Sequence, residues 1–317
     1  MSGQKPIVVV GSINTDLVTF AERIPSVGET VIGNDFQIHP GGKGANQAVA
    51  VARLGYPVRM IGRLGNDPFG EQLRAHLIST GVNTDGIATS EGTSGVAVIE
   101  VSRKGENSIV VTPGANAKVS PQDLELNLEI IRHAGIVLAQ LEIPIDTVEY
   151  LSLICAREGV PFILDPAPAV ELPQAIFKHI QWFTPNQTEA GFFIGEGTIG
   201  IKNPAPAEIA MLLLGNGCRG VILKMGEQGV YVASQDGIEQ SLPAFPVKAV
   251  DTTAAGDAFN GGFATALMLG KNPIESAQFG TAVAAISVTR NGAQPSMPTM
   301  AEVETFLENN AARTTSR

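Results

Sequence analysis

Four short runs in this chain are built almost entirely of apolar residues: 7–10, 136–141, 162–164 and 221–223. A strand that is apolar on both sides must be covered on both sides, the condition met by a parallel sheet between two layers of helices. The stretches between the runs carry helix signals. Asp67-Pro68 reads as an N-cap and first helical residue with Gly81 as the stop, and Ser120-Pro121-Gln122-Asp123 opens a second helix with an acid at its third position. An alanine-rich helix is expected over about 254–269, and another over about 274–289 after Pro273. Such alternation points to one class of fold, α/β with a mainly parallel central sheet.

Two segments depart from the alternation. Residues 17–38 contain Leu17-Val18-Thr19-Phe20 and Glu29-Thr30-Val31-Ile32, and residues 94–112 contain Val96-Ala97-Val98-Ile99, a polar turn at 103–107 and Ser108-Ile109-Val110-Val111. Apolar and polar positions interleave there, so both read as extended chain, the second as a hairpin. They predict a small antiparallel sheet standing apart from the α/β body, a lid over a site at the strand ends or an oligomerisation surface. Exposed Val96, Val98 and Ile109 would need a partner, so a homodimer is expected. No linker or internal repeat divides the chain, which reads as a single domain, 1–317, with lid segments 17–38 and 94–112 inserted within it.

Charge and cysteine usage exclude other classes. Lys and Arg number 21 against 31 Asp and Glu, a net charge of −10 with no basic run, so no nucleic-acid partner is expected. No apolar run approaches the roughly 18 residues that a membrane span needs. Cys155 and Cys218 stand far apart without metal-ligand spacing, as expected of a protein from the reducing cytoplasm. Glycine is abundant, and it clusters at 41–44, at 256 and at 261–262, where backbone must approach a ligand closely.

Common nucleotide motifs fail on position. Lys43 is followed by Gly44 where a P-loop needs a hydroxyl, and the Gly-x-Gly-x-x-Gly spacing at 215–220 precedes a strand instead of joining a strand to a helix. The segment Asp251-Thr252-Thr253-Ala254-Ala255-Gly256-Asp257-Ala258-Phe259-Asn260-Gly261-Gly262 is different. The small residues Ala254, Ala255 and Gly256 let backbone N–H groups converge at a helix start, which makes an anion site. Asp257 beside that site is costly unless it takes a proton from an incoming nucleophile, the arrangement of phosphoryl transfer to an alcohol.

This segment resembles the signature Asp-Thr-x-x-Ala/Gly-Gly-Asp-x-Phe-x-Gly of the PfkB, or ribokinase, family of carbohydrate kinases. His39-Pro40-Gly41-Gly42-Lys43-Gly44-Ala45-Asn46-Gln47-Ala48 is similar to that family's second marker, and 11–16, 186–189 and 292–296 match further family segments in order. The resemblance implies a three-layer ribokinase-like sandwich and ATP-dependent phosphorylation of D-ribose at its 5-hydroxyl. It implies that Asp257 is the base, with Ala254, Ala255 and Gly256 forming the anion hole, and that Asn14, Asp16, Gly42, Lys43, Asn46 and Glu142 bind the sugar. Asn186, Lys224, Gly226, Gly229 and Gly256 would bind ATP, with Glu189 ordering Mg2+ through water. An activating K+ would lie among Asp251, Thr253, Ser287, Arg290, Gly292 and Ser296. Two other readings compete: a family kinase acting on 2-deoxyribose, fructose or a nucleoside, and a non-catalytic sugar- or nucleotide-binding regulator.

Overall fold

The residues of strand β1 (Ile7–Val10) are completely buried, as their unbroken apolar run requires, and they face two different cores. Ile7 and Val9 point into one and Val8 and Val10 into the other. A computed structural model describes residues 4–195 and 204–315. From β1 the chain forms β2 (Asn14–Ala21) and β3 (Gly33–Gly41), then α1 (Lys43–Arg53), β4 (Val58–Gly65), α2 (Pro68–Ser79) and β5 (Asn83–Ser90). Next come β6 (Gly95–Ser102), β7 (Asn107–Thr112), a 3-10 turn at Gly114–Lys118, α3 (Pro121–Leu126) and α4 (Leu128–Arg132). The alternation resumes with β8 (Ile136–Ala139), α5 (Ile145–Glu158), β9 (Phe162–Leu164), α6 (Gln174–Phe177), β10 (Trp182–Phe183), α7 (Gln187–Ile194), α8 (Pro206–Gly215) and β11 (Gly220–Lys224). Strands β12 (Val230–Ser234) and β13 (Glu239–Leu242) precede α9 (Ala255–Met268), α10 (Pro273–Ser287) and α11 (Met300–Thr315).

Nine strands form the main sheet in the order β13-β12-β11-β10-β9-β8-β1-β4-β5, parallel from β11 to β5 and antiparallel at β12 and β13. Helices α1, α2, α9 and α10 supply one core through residues such as Val49, Leu73, Phe263 and Val283. Helices α4, α5 and α8 supply the other through Ile131, Leu151 and Leu213. That is the expected three-layer sandwich. The cap signals hold as well, since Asp67 accepts from Gly70 N at 2.9 Å and Ser120 and Asp123 form a capping box. No helix among the described residues is long and apolar enough to cross a membrane.

The extended segments form a separate four-stranded sheet, β3-β2-β6-β7. Its outer ladders are antiparallel as expected, and its central ladder, β2 with β6, is parallel. The cause lies in the main sheet: β2 continues from β1 and β6 follows β5, and parallel strands release the chain at the same edge in the same direction. The expected strand at Glu29-Thr30-Val31-Ile32 does not form, and β3 begins at Gly33. Glu29 instead accepts from Arg23 and from Ser26 N, which folds 23–29 into a loop. Val98 and Ile109 are exposed as expected, whereas Val96 is half-buried.

Candidate active site

Strand order in the main sheet reverses between β1 and β8, because the chain leaves β1 toward β4 on one side and later fills the other from β8. Open α/β sheets bind ligands in the crevice at such a switch point, outside the carboxyl ends of the strands. Residues from many elements meet there. Glu142, beyond β8, accepts from Ser12 Oγ at 2.5 Å and from Lys43 N at 3.1 Å, which joins the ends of β8 and β1 to the start of α1. Gly42 precedes α1 with φ 88, and a β-carbon there would lie 2.7 Å from Asn14 N. Only glycine fits. Asn14 opens β2 opposite Gly41, and its Oδ1 accepts from Asn116 Nδ2 at 2.7 Å while Asn116 Oδ1 takes Ile13 N at 2.9 Å.

Asp257 lies buried in the first turn of α9, where it accepts from Asn46 Nδ2 at 3.0 Å and Gln47 Nε2 at 3.1 Å, both on α1. Burial pushes its carboxyl up to about 6 and Asp165 adds to the shift, while Lys43 and the two amides pull the other way. Asp16, half-buried on β2, is likewise pushed up to about 6, by burial first and then by Glu142 and Asp257. Burial alone would lower Lys43, but the carboxylates of Asp257, Asp165, Glu142 and Glu189 together hold its ammonium above the ordinary lysine range. Asn14, Asp16, Gly42, Lys43, Asn46, Glu142 and Asp257 are therefore gathered around one crevice. A polyhydroxylated ligand would find carboxylate acceptors and an ammonium donor there.

The expected anion site stands beside it. Ala254 caps α9 in the left-handed region, φ 58, with no side-chain cap, and Ala255 N bonds back to Thr252 O at 3.2 Å. The first-turn N–H groups of Gly256 and Asp257 make no such bond among the described residues, so they are free to receive an anion. Lys224, at the end of β11, pairs with Asp165 at 2.9 Å, and its Nζ lies 3.3 Å from where a β-carbon on Gly256 would stand. Its ammonium thus borders the anion site. Asn186 caps α7 in a reciprocal box with Glu189 and bridges to Lys224. Burial raises the Glu189 carboxyl, partly offset by Lys224. Gly226 and Gly229, both at positive φ, close the loop after β11 through Met225 N to Gly229 O at 2.8 Å.

Of the cation candidates, Asp251, Thr253 and Gly292 meet directly, and the Ser287–Arg290 segment is tied to them through Val288. Asp251 accepts from Thr253 N at 2.9 Å and Gly292 N at 2.8 Å, and Val288 O takes the N–H of Val250 and of Asp251. Burial would raise the Asp251 carboxyl, but those donors hold it below its ordinary value. Ser287 and Ser296 donate to Ala284 O and Ala293 O, which leaves their oxygen lone pairs available. The Arg290 guanidinium turns to Glu302 at 2.6 Å, so only its carbonyl could serve a cation. An all-oxygen set with one carboxylate fits a hard monovalent ion. No group of three or more His, Cys, Asp or Glu side chains among the described residues is placed to hold a metal. A divalent ion here would depend on phosphate oxygens with Glu189 in support.

Sequence reasoning missed Asn116, Gln140 and Asp165, and it took in Ser12 and Gln47 only as members of matched segments, without giving them a role. Asp165 had a readable signal, since it follows the apolar run 162–164 as Glu142 follows 136–141. Asn116 had none, because it acts across 102 residues of chain.

Comparison with known proteins gives the chain a family. The pattern of the pfkB family carbohydrate kinases matches residues 4–300. A ribokinase of Haemophilus influenzae is 41% identical over 306 residues, covering 96% of this chain and 99% of its own. A deoxyribokinase of Salmonella typhi is 36% identical over 306 residues, with the same coverage. The structure of an Arabidopsis thaliana ribokinase complexed with ribose and ATP superposes with a TM-score of 0.87 at 35% identity, over 96% of this chain and 99% of that one.

Proposed function

The chain belongs to the pfkB family of carbohydrate kinases, and on that premise we propose that it transfers the γ-phosphoryl group of ATP to the 5-hydroxyl of D-ribose. The observation that carries the reading is the buried Asp257 carboxylate, held by two α1 amides one residue from the open N–H of Gly256. Asp257 takes the hydroxyl proton as the oxygen attacks phosphorus, the bond to the bridging oxygen breaks, and ADP leaves. The N–H groups of Gly256 and Asp257 and the Lys224 ammonium receive the charge of the moving phosphoryl group, whereas the Ala255 N–H expected to join them is taken by Thr252 O. Mg2+ arriving with the nucleotide would neutralise phosphate charge, and Glu189 would hold it through water. K+ among Asp251, Thr253, Ser287, Arg290, Gly292 and Ser296 would brace the loop before α9. Asn186, Gly226 and Gly229 are assigned to the nucleotide.

Asp16 separates the two nearest sugars. A carboxylate held in a half-buried site accepts from two neighbouring hydroxyls, and a sugar lacking the 2-hydroxyl leaves one acceptor unpaired. Expected kcat/KM for ribose therefore exceeds that for 2-deoxyribose by about tenfold or more, and Asp257→Asn lowers kcat by about 10²–10⁴ with both substrates still bound. A coupled assay for ADP across ribose, 2-deoxyribose, fructose and nucleosides tests both. Equal kcat/KM for the two pentoses would remove ribose as the preferred acceptor, and more than about a tenth of kcat in Asp257→Asn would remove the base. Residues 1–317 are read as one kinase domain with the small sheet as its lid and dimer surface. Buried free Cys155 and Cys218 support a cytoplasmic site of action.

A further inference from the structure

Under the reacting groups lies a set of buried polar side chains that the transfer step does not consume. Gln47 on α1 is completely buried and sets its amide nitrogen between two acids, 3.1 Å from Asp257 Oδ1 and 3.0 Å from Asp165 Oδ2. Carboxylates only accept, so the orientation of the amide is fixed and each acid receives one of its two protons. The Gln47 oxygen accepts from Gln140 Nε2 at 2.7 Å. Gln140 is completely buried too, and Gly11 makes its room: a β-carbon at residue 11 would lie 2.1 Å from Gln140 Oε1. Among the described residues Gln140 Oε1 has no partner, so the bond to Gln47 is what this buried amide contributes. On the far side Asp165 holds Lys224 Nζ at 2.9 Å. An unbroken run of hydrogen bonds thus joins Asp257 on α9 to Lys224 through Gln47 of α1 and Asp165 at the end of β9, with Gln140 at the end of β8 bound to Gln47 from the side.

We propose that Gln47 is a positioning residue for phosphoryl transfer, holding the Asp257 carboxylate and, through Asp165, the Lys224 ammonium in one fixed relation while Gln140 sets its amide. The inference rests on Asp257 as base and Lys224 as the phosphate-side cation. Its logic is geometric. The proton leaves the hydroxyl toward Asp257 while charge builds beside Lys224, and a misplacement of either by about 1 Å costs on the order of 10² in rate.

Two variants test it. Gln47→Glu keeps the shape but has at most one acidic proton to share between two carboxylates. Gln140→Met removes the group that orients Gln47 and touches neither acid. The charged groups facing Asp257 are Lys43, Asp165 and Asp16, with Glu142, Lys224 and Glu189 around them, and none is altered. Expected kcat falls by about tenfold to a hundredfold in Gln47→Glu and less in Gln140→Met, with KM for ribose and ATP within about threefold. The acid limb of kcat moves upward by about one pH unit in both, because a donated hydrogen bond favours the carboxylate form. A merely structural role would lower the thermal midpoint and the active fraction without moving that limb. Folded variants with kcat within about twofold and an unmoved limb overturn the proposal. If Gln47→Glu does not fold, Gln140→Met decides by the same criteria. A wild-type enzyme that phosphorylates no sugar overturns the underlying reading and this inference together, whereas an active wild type with unshifted variants overturns this inference alone.

Discussion

In the proposed reaction Asp257 and Asp16 would both have to be ionised, one to accept a proton and the other to accept hydroxyl hydrogen bonds, and both lie where burial resists ionisation. Each is pushed up to about 6, so kcat/KM for ribose is expected to fall as pH drops through that value. Stability should run the other way. Both folded values lie above the ordinary 3.8, so the folded chain binds protons before the unfolded chain does. The resulting stabilisation is complete below about pH 4 and is lost as pH rises through 6. The thermal midpoint of the ligand-free protein is therefore expected to be higher at pH 5.5 than at pH 8, read by scanning fluorimetry; an equal or lower midpoint at pH 5.5 would refute the linkage. The charged groups of the proposed site were legible because they sit in short signatures or just past apolar runs, as Asp257, Lys43 and Glu142 do. Gln47, Gln140 and Asn116 were not, because an amide's role depends on partners 93 to 210 residues away.

The N-terminus of α9 is the element on which the anion site depends, and it is built at a conformational cost. Ala254 is the one non-glycine at positive φ among the described residues, a conformation that costs an L-residue roughly 1–2 kcal/mol. Ala254→Gly is expected to leave stability and kcat nearly unchanged, since relieved strain offsets the added chain entropy. A β-branched Ala254→Val should lower stability by more than about 1 kcal/mol and reduce kcat, measured by urea unfolding and steady-state assay. The same turn explains the expected cation effect. Asp251 and Val288 tie the loop before α9 to the segment after α10, so K+ among their oxygens would stiffen the anion site without touching substrate. Activity should be higher in K+ than in tetramethylammonium at equal ionic strength; equal rates would dismiss the site. Elements with strong local signals were readable, as the caps at Asp67 and Ser120 show. The start of β3 was not, because the Glu29 bonds that displaced the strand have no local pattern.

At the scale of the molecule, the two cores of the main sheet are closed by helices, but one face of the small sheet keeps apolar side chains exposed among the described residues. Its register places Leu17, Ile38, Val98 and Val110 in one cross-strand row, with Phe36 on the same face two residues along. Phe36, Ile38, Val98 and Val110 are all exposed. An apolar face of this kind is expected to seek a partner, and a second copy of the chain would cover it along with the edges of β3 and β7. Asp16 lies one residue from Leu17 on β2 and therefore faces the other side of the sheet, toward the crevice. Clamping the apolar face would fix the strand that carries Asp16, which is proposed to bind the sugar, so association and substrate binding are expected to be coupled. Light scattering at micromolar concentration should give twice the 33.1 kDa of one chain. Val98→Asp with Val110→Asp should halve that mass and raise KM for ribose more than it lowers kcat. A wild-type monomer would abolish the dimer, and a monomeric double variant with unchanged KM would separate assembly from the site.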